Sequence, residues 1–128
     1  MEKQEFFAQL DKMGVNTKQA LGRFMGNEGL FLSFVGQLPE KLNLDRLVRL
    51  LEEEDEEEFY MDVHNLKGLA GNLSIEPIYD CAQAILVEFR SSQFRNKKKL
   101  AALVGEVREE SQALSRLILR YQKEGGEN

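Results

Sequence analysis

The sequence predicts an all-α fold: an antiparallel up-down four-helix bundle with additional short N-terminal helices. Three observations carry this. Apolar residues recur at the three- and four-residue spacing of a helix face along nearly the whole chain. No segment alternates with the period of two that marks a half-buried strand. The glycines and prolines fall mainly between periodic segments, where they end helices or turn the chain. At 128 residues the chain has the length of one domain with one core, so residues 1–128 are read as a single domain.

The elements follow in order. The first helix covers 2–13, with Phe6, Phe7, Leu10 and Met13 on one side and Gly14 as its stop. Asn16 or Thr17 caps the next segment, whose apolar residues are Leu21, Phe24 and Met25. A longer helix starts near Asn27 and bends at Pro39, because proline lacks a backbone donor and restrains the residue before it. It carries its stripe on through Leu44, Leu47, Val48 and Leu51. The acidic run EEEDEEE, 52–58, lies between two periodic segments and reads as a solvated turn leading into a helix N-terminus, where negative charge suits the dipole. A helix follows over 56–73. Ser74 is placed to cap its successor, with Pro77 in the tolerated first turn. QFRN, 93–96, reads as a loop. The last helix, 97–123, carries the stripe Leu100, Leu103, Val107, Leu114, Leu117, Ile118 and Tyr121. The bundle thus spans roughly 17–122, and the tail 124–128 is expected to fray.

Composition narrows the function classes. Hydrophobic residues are 42% and charged residues 30% of the chain, as in ordinary globular proteins. The net charge of −5 argues against nucleic-acid and anionic-membrane partners, which reward a basic surface. The single cysteine, Cys81, excludes an internal disulfide and a multi-cysteine metal site. It falls on the apolar stripe Ile78, Cys81, Ala82, Ile85 and Phe89, the place of a buried structural thiol. The opening residues lack the pattern of a signal peptide, and no run reaches the roughly 20 apolar residues of a membrane span. A cytoplasmic location is expected.

The segment VHNLKGLAGNL, 63–73, holds the only histidine and two glycines inside a helix. Glycine there costs about 1 kcal/mol relative to alanine. At about 100° per residue, Phe59, Val63, Leu66, Ala70 and Leu73 form the inward stripe. Taking His64 as zero, that stripe centres near about 220°. Gly68 lies near about +40°, Gly71 near about −20°, Tyr60 near about −40° and Lys67 near about −60°. His64 therefore points outward, with Gly68 removing a side chain beside it and Lys67 offering a point charge to any anion on the ring. Neutral imidazole is the nucleophilic form. Nucleophile, access and cation together point to reversible phosphorylation of His64. The plainer reading is a surface histidine, but each glycine spends helix stability without a core-packing reason. No second histidine or cysteine stands at metal-ligand spacing, and no partner pattern supplies a hydrolytic triad.

HNLKGLAGNLSI, 64–75, resembles the signature of histidine phosphotransfer (HPt) domains, in which His-x-Leu-Lys-Gly is followed by small residues. ALGRFMGNEGLFLSFVGQLPEKL is similar to the helices that precede the active-site helix in that family. The resemblance extends over about 17–122. It implies a phosphorelay intermediary that accepts a phosphoryl group from the aspartyl phosphate of one response-regulator receiver domain and passes it to another. His64 would be the phospho-acceptor, Lys67 the phosphoryl-stabilising cation and Gly68 the access position. Tyr60, Met61, Gly71, Gln83, Leu86 and Arg90 would form the docking surface. The implied partners are receiver domains, with a hybrid sensor kinase as a candidate. No cofactor, metal, nucleic acid or membrane is expected, and the chain is expected to be a monomer.

Three positions depart from the family pattern. Leu69 stands where a small residue is usual; the wheel puts it near about 140°, at the core margin. Ser74 replaces a common second glycine. Leu86 occupies the position of a frequent glutamine, for which Gln83 or Arg90 is a candidate substitute. Tyr79, Gln83, Leu86 and Arg90 are expected to form a seam beside the histidine. The competing function is a helical docking module without chemistry.

Overall fold

The structure, a computed structural model, describes residues 1–125. Eight α-helices follow one another there: α1 (Lys3–Lys12), α2 (Thr17–Arg23), α3 (Glu28–Gly36), α4 (Leu38–Lys41), α5 (Asp45–Glu53), α6 (Glu56–Asn72), α7 (Glu76–Ser92) and α8 (Lys97–Lys123). A 3₁₀ turn, Gln93–Asn96, joins α7 to α8. Among the described residues there is no strand, only an isolated antiparallel bridge between Val15 and Ile75. No described helix is long and apolar enough to cross a membrane.

Cross-helix contacts fix the direction of each rod. Tyr60 meets Arg90 and Gly71 meets Tyr79, so α6 and α7 run antiparallel. Cys81 donates to the Leu103 carbonyl at 3.3 Å and Glu88 pairs with Lys99 at 3.0 Å, so α7 and α8 do too. The fourth rod is composite. Gln122 on α8 donates to the Gly36 carbonyl, Arg108 pairs with Asp45, and Lys97 pairs with Glu54. The segment α3–α4–α5 therefore runs against the full length of α8. Arg46, paired with both Glu58 and Asp62, closes the square between α5 and α6. The predicted up-down bundle is the observed one.

The N-terminal helices cover one end. Phe6 stacks on Tyr121 of α8, with ring centroids 4.0 Å apart and planes 2° apart, and Phe7 meets Phe31 edge-on at 5.8 Å. At the other end Phe59, Phe89 and Phe94 form a second aromatic cluster, with centroids 5.0–5.6 Å apart. Phe6, Phe31 and Phe59 at these ends, and Val63, Ile85 and Leu100, are fully buried.

Several local expectations are corrected. The rod expected to bend at Pro39 is broken into three pieces, and Pro39 itself sits in the first turn of α4. Its missing N–H interrupts the ladder just after Gln37, and Asn43, whose side-chain Oδ1 accepts from the Asp45 amide, starts α5 afresh. Met25 leaves the apolar side: it is 95% exposed, in a left-handed turn at φ 55°. Ser74 does not cap α7. Its backbone is left-handed at φ 54°, and its hydroxyl accepts from Arg23 and donates to Gln19 Oε1 at 2.8 Å. The expected loop 93–96 is a 3₁₀ turn. In the tail, Glu124 pairs with the Met1 amine at 2.9 Å and with Arg120 Nε at 3.2 Å; 126–128 lie outside the described residues.

Candidate functional site

α6 starts where sequence chemistry places it. The Asp55 side chain accepts from the Glu58 amide at 3.2 Å, and Glu56, Glu57 and Glu58 fill the first turn, where their charge faces the positive end of the dipole. Phe59, Val63, Leu66, Ala70 and Leu73 all turn into the core. The helix period then obliges His64 to face solvent, and it is exposed.

The two glycines beside it differ in what they leave open. A Cβ at Gly68 would meet nothing within 4 Å, so the space next to the imidazole is unobstructed. A Cβ at Gly71 would lie 3.4 Å from Tyr79 Cε2 and 3.5 Å from Cδ2. Gly71 thus lies beside an aromatic ring of α7, at an ordinary contact distance for a Cβ. Only Gly68 opens the approach to His64.

Two cation–aromatic pairs join α6 and α7 on this face. The Lys67 ammonium lies over the Tyr79 ring, 5.5 Å from its centroid. The Arg90 guanidinium lies 5.9 Å from the Tyr60 centroid, and its Nη2 donates to the Tyr60 hydroxyl at 3.3 Å. The Tyr60 ring stands 6.1 Å from the His64 ring at an interplanar angle of 32°. Met61, 47% exposed, lines an open groove with Glu56, Glu57, Tyr60 and Phe89. The face thus combines a solvent-facing imidazole, two cations and exposed apolar surface.

The seam on α7 needs one correction. Tyr79 and Arg90, at its ends, are exposed, but Leu86 in its middle is only 1% exposed and belongs to the core. Leu86 offers nothing to an incoming partner, and its expected docking role is withdrawn. Gln83 is half-buried, and its Oε1 is buried without a hydrogen-bond partner. Leu69 lies half-buried against the core, at the margin where the wheel puts it.

Cys81 is 8% exposed. Burial, then the carboxylates of Glu106 and Glu110, pushes its thiol up to about 11. A nucleophilic thiol needs the opposite shift, so Cys81 is structural. Glu110 is also raised, by its own burial and by the charges of Glu106 and Asp80. Among the described residues, no three or more His, Cys, Asp or Glu side chains are grouped to hold a metal ion.

Features that need the third dimension were missed by sequence reasoning. Val87, 54% exposed, adds apolar surface to α7. A cleft lined by Gln19, Arg23, Ser74, Tyr79 and Asp80 joins α2 to the α6–α7 turn. No sequence signal marks it, because α2 reaches it from 51 residues away. Comparison with models of protein families, with curated proteins and with solved structures returns no match for this chain.

Proposed function

We propose that this protein is a phosphorelay intermediary in which His64 carries the phosphoryl group. The supporting observation is a solvent-facing His64 with open space over Gly68, inside a His-x-Leu-Lys-Gly string that resembles the HPt signature. In this reading a neutral imidazole nitrogen attacks the phosphorus of a receiver's aspartyl phosphate. The N–P bond forms as the P–O bond to the aspartate breaks, the carboxylate leaves with its electron pair, and the attack is in line. The other ring nitrogen keeps or releases its proton to water. Lys67 offsets the charge on the phosphoryl oxygens. Attack by a second receiver's aspartate on the phosphohistidine reverses these bonds. Receiver domains are the proposed partners, with a hybrid sensor kinase as a candidate donor, and the proposed setting is a cytoplasmic monomer.

The test is incubation with phosphorylated receiver domains while label is followed to this chain. Phosphohistidine is acid-labile and alkali-stable, and His64→Gln should abolish the label without changing helicity by circular dichroism. Acid-labile label persisting in His64→Gln would sink the assignment. Receivers that bind without transferring label would instead support a docking module without chemistry, a reading favoured by the exposed Met61 and Val87.

A further inference from the structure

We propose that Tyr79 is a positioning residue for Lys67, holding its ammonium at the His64 face before the phosphoryl group arrives. This rests on the phosphorelay reading and adds to it a residue from the neighbouring helix. A lysine on a helix surface ordinarily distributes its ammonium over many rotamers, and ordering it costs side-chain entropy. Here the Lys67 side chain is half-buried and its ammonium lies 5.5 Å from the Tyr79 ring centroid. That is inside the roughly 6 Å range in which a ring face attracts a cation.

Tyr79 lies beside Gly71, where a Cβ would stand in ordinary contact, 3.4 Å from Cε2. Core burial does not explain the placement of Tyr79, which is 38% exposed. The Tyr79 ring thus lies between Gly71 and the Lys67 ammonium on the α6–α7 face. The ring face makes the contact, so phenylalanine should replace tyrosine.

The experiment measures single-turnover transfer from a phosphorylated receiver at saturating concentration, in wild type, Tyr79→Leu, Tyr79→Phe, Lys67→Ala and Tyr79→Leu/Lys67→Ala. Proton NMR of the unlabelled proteins reads the ring-current shift on the Lys67 methylenes. Tyr79→Leu should slow transfer about two- to fivefold, the range of an exposed cation–π contact, and erase the ring-current shift. Tyr79→Phe should retain both. In the Lys67→Ala background, Tyr79→Leu should add nothing. A wild type without the ring-current shift overturns the inference. So does a labelled wild type whose rate Tyr79→Leu leaves unchanged or raises, or lowers equally without Lys67. A wild type that takes no label overturns the phosphorelay reading and this inference with it.

Discussion

Lys67 and Gly68 lie within one helical turn of His64, and they act on different steps of the proposed transfer. The Lys67 charge acts on the phosphoryl group, so Lys67→Ala should slow transfer more than it weakens receiver binding. Electrostatic contributions of this kind reach roughly 10²–10³ in rate, and solvent screening at this half-exposed site holds the loss to about 10² or less. An unchanged single-turnover rate would make Lys67 an ordinary surface residue. In the proposed transfer Gly68 is the access position. A helix packed over it would also explain a glycine there, but its missing Cβ faces open space. Gly68→Ala should therefore stabilise the fold by up to about 1 kcal/mol. Gly68→Gln should keep the melting temperature near that of wild type while transfer falls sharply. Lost folding in Gly68→Gln would refute the access role.

At the scale of elements, the joints between helices carry more local strain than the helices do. Gly14 ends α1 at φ +91°, and a Cβ there would stand 2.4 Å from Pro77 Cγ at the start of α7. Both facts select glycine: the left-handed conformation excludes most side chains, and the ring leaves no room. Gly14→Ala should cost about 1–3 kcal/mol, seen as a lower urea midpoint with an unchanged slope. The start of α6 provides a contrast, because Asp55 caps it through a single hydrogen bond. Asp55→Ala should cost about 1 kcal/mol and leave His64 exposed, so transfer by the folded protein should persist. Loss of transfer in folded Asp55→Ala would mean that the acidic turn takes part in the site.

Across the whole molecule, α8 ties the bundle together, meeting α1 at one end, α3–α4–α5 along one side and α7 along another. The α7–α8 interface holds Cys81, whose thiol is pushed up to about 11, by burial first and by nearby carboxylates second. The sign follows from linkage. The unfolded chain ionises this thiol near its ordinary value of about 8.5, while the folded chain holds the proton to about 11. The contribution is complete below the unfolded value and is lost as pH rises toward the folded one. Thermal stability should therefore decline from about pH 8.5 to 11, and decline less in Cys81→Ala. Thiolate absorbance should titrate near 11 in the folded protein and near the ordinary value in denaturant. A folded thiol that titrates at the ordinary value would remove the effect.

The sequence by itself determined the helical class, the extent of the last three helices and the face on which His64 lies. Those properties are local: backbone geometry fixes about 100° between neighbours, so Phe59, Val63 and Leu66 facing inward send His64 outward. Tertiary structure decided what local periodicity leaves open. Leu86 falls on the same side of α7 as Tyr79 and Arg90, yet it is buried while they are exposed. Burial depends on position along the packed α6–α7 hairpin as well as on the angle around one helix. Ser74 has the chemistry of a cap, but Arg23 and Gln19 from α2 engage its hydroxyl. Gly68 and Gly71 read alike as gaps beside the histidine; one faces open space and the other lies beside the Tyr79 ring. In each case the deciding neighbour comes from another helix, and single-helix periodicity holds no information about where that neighbour packs.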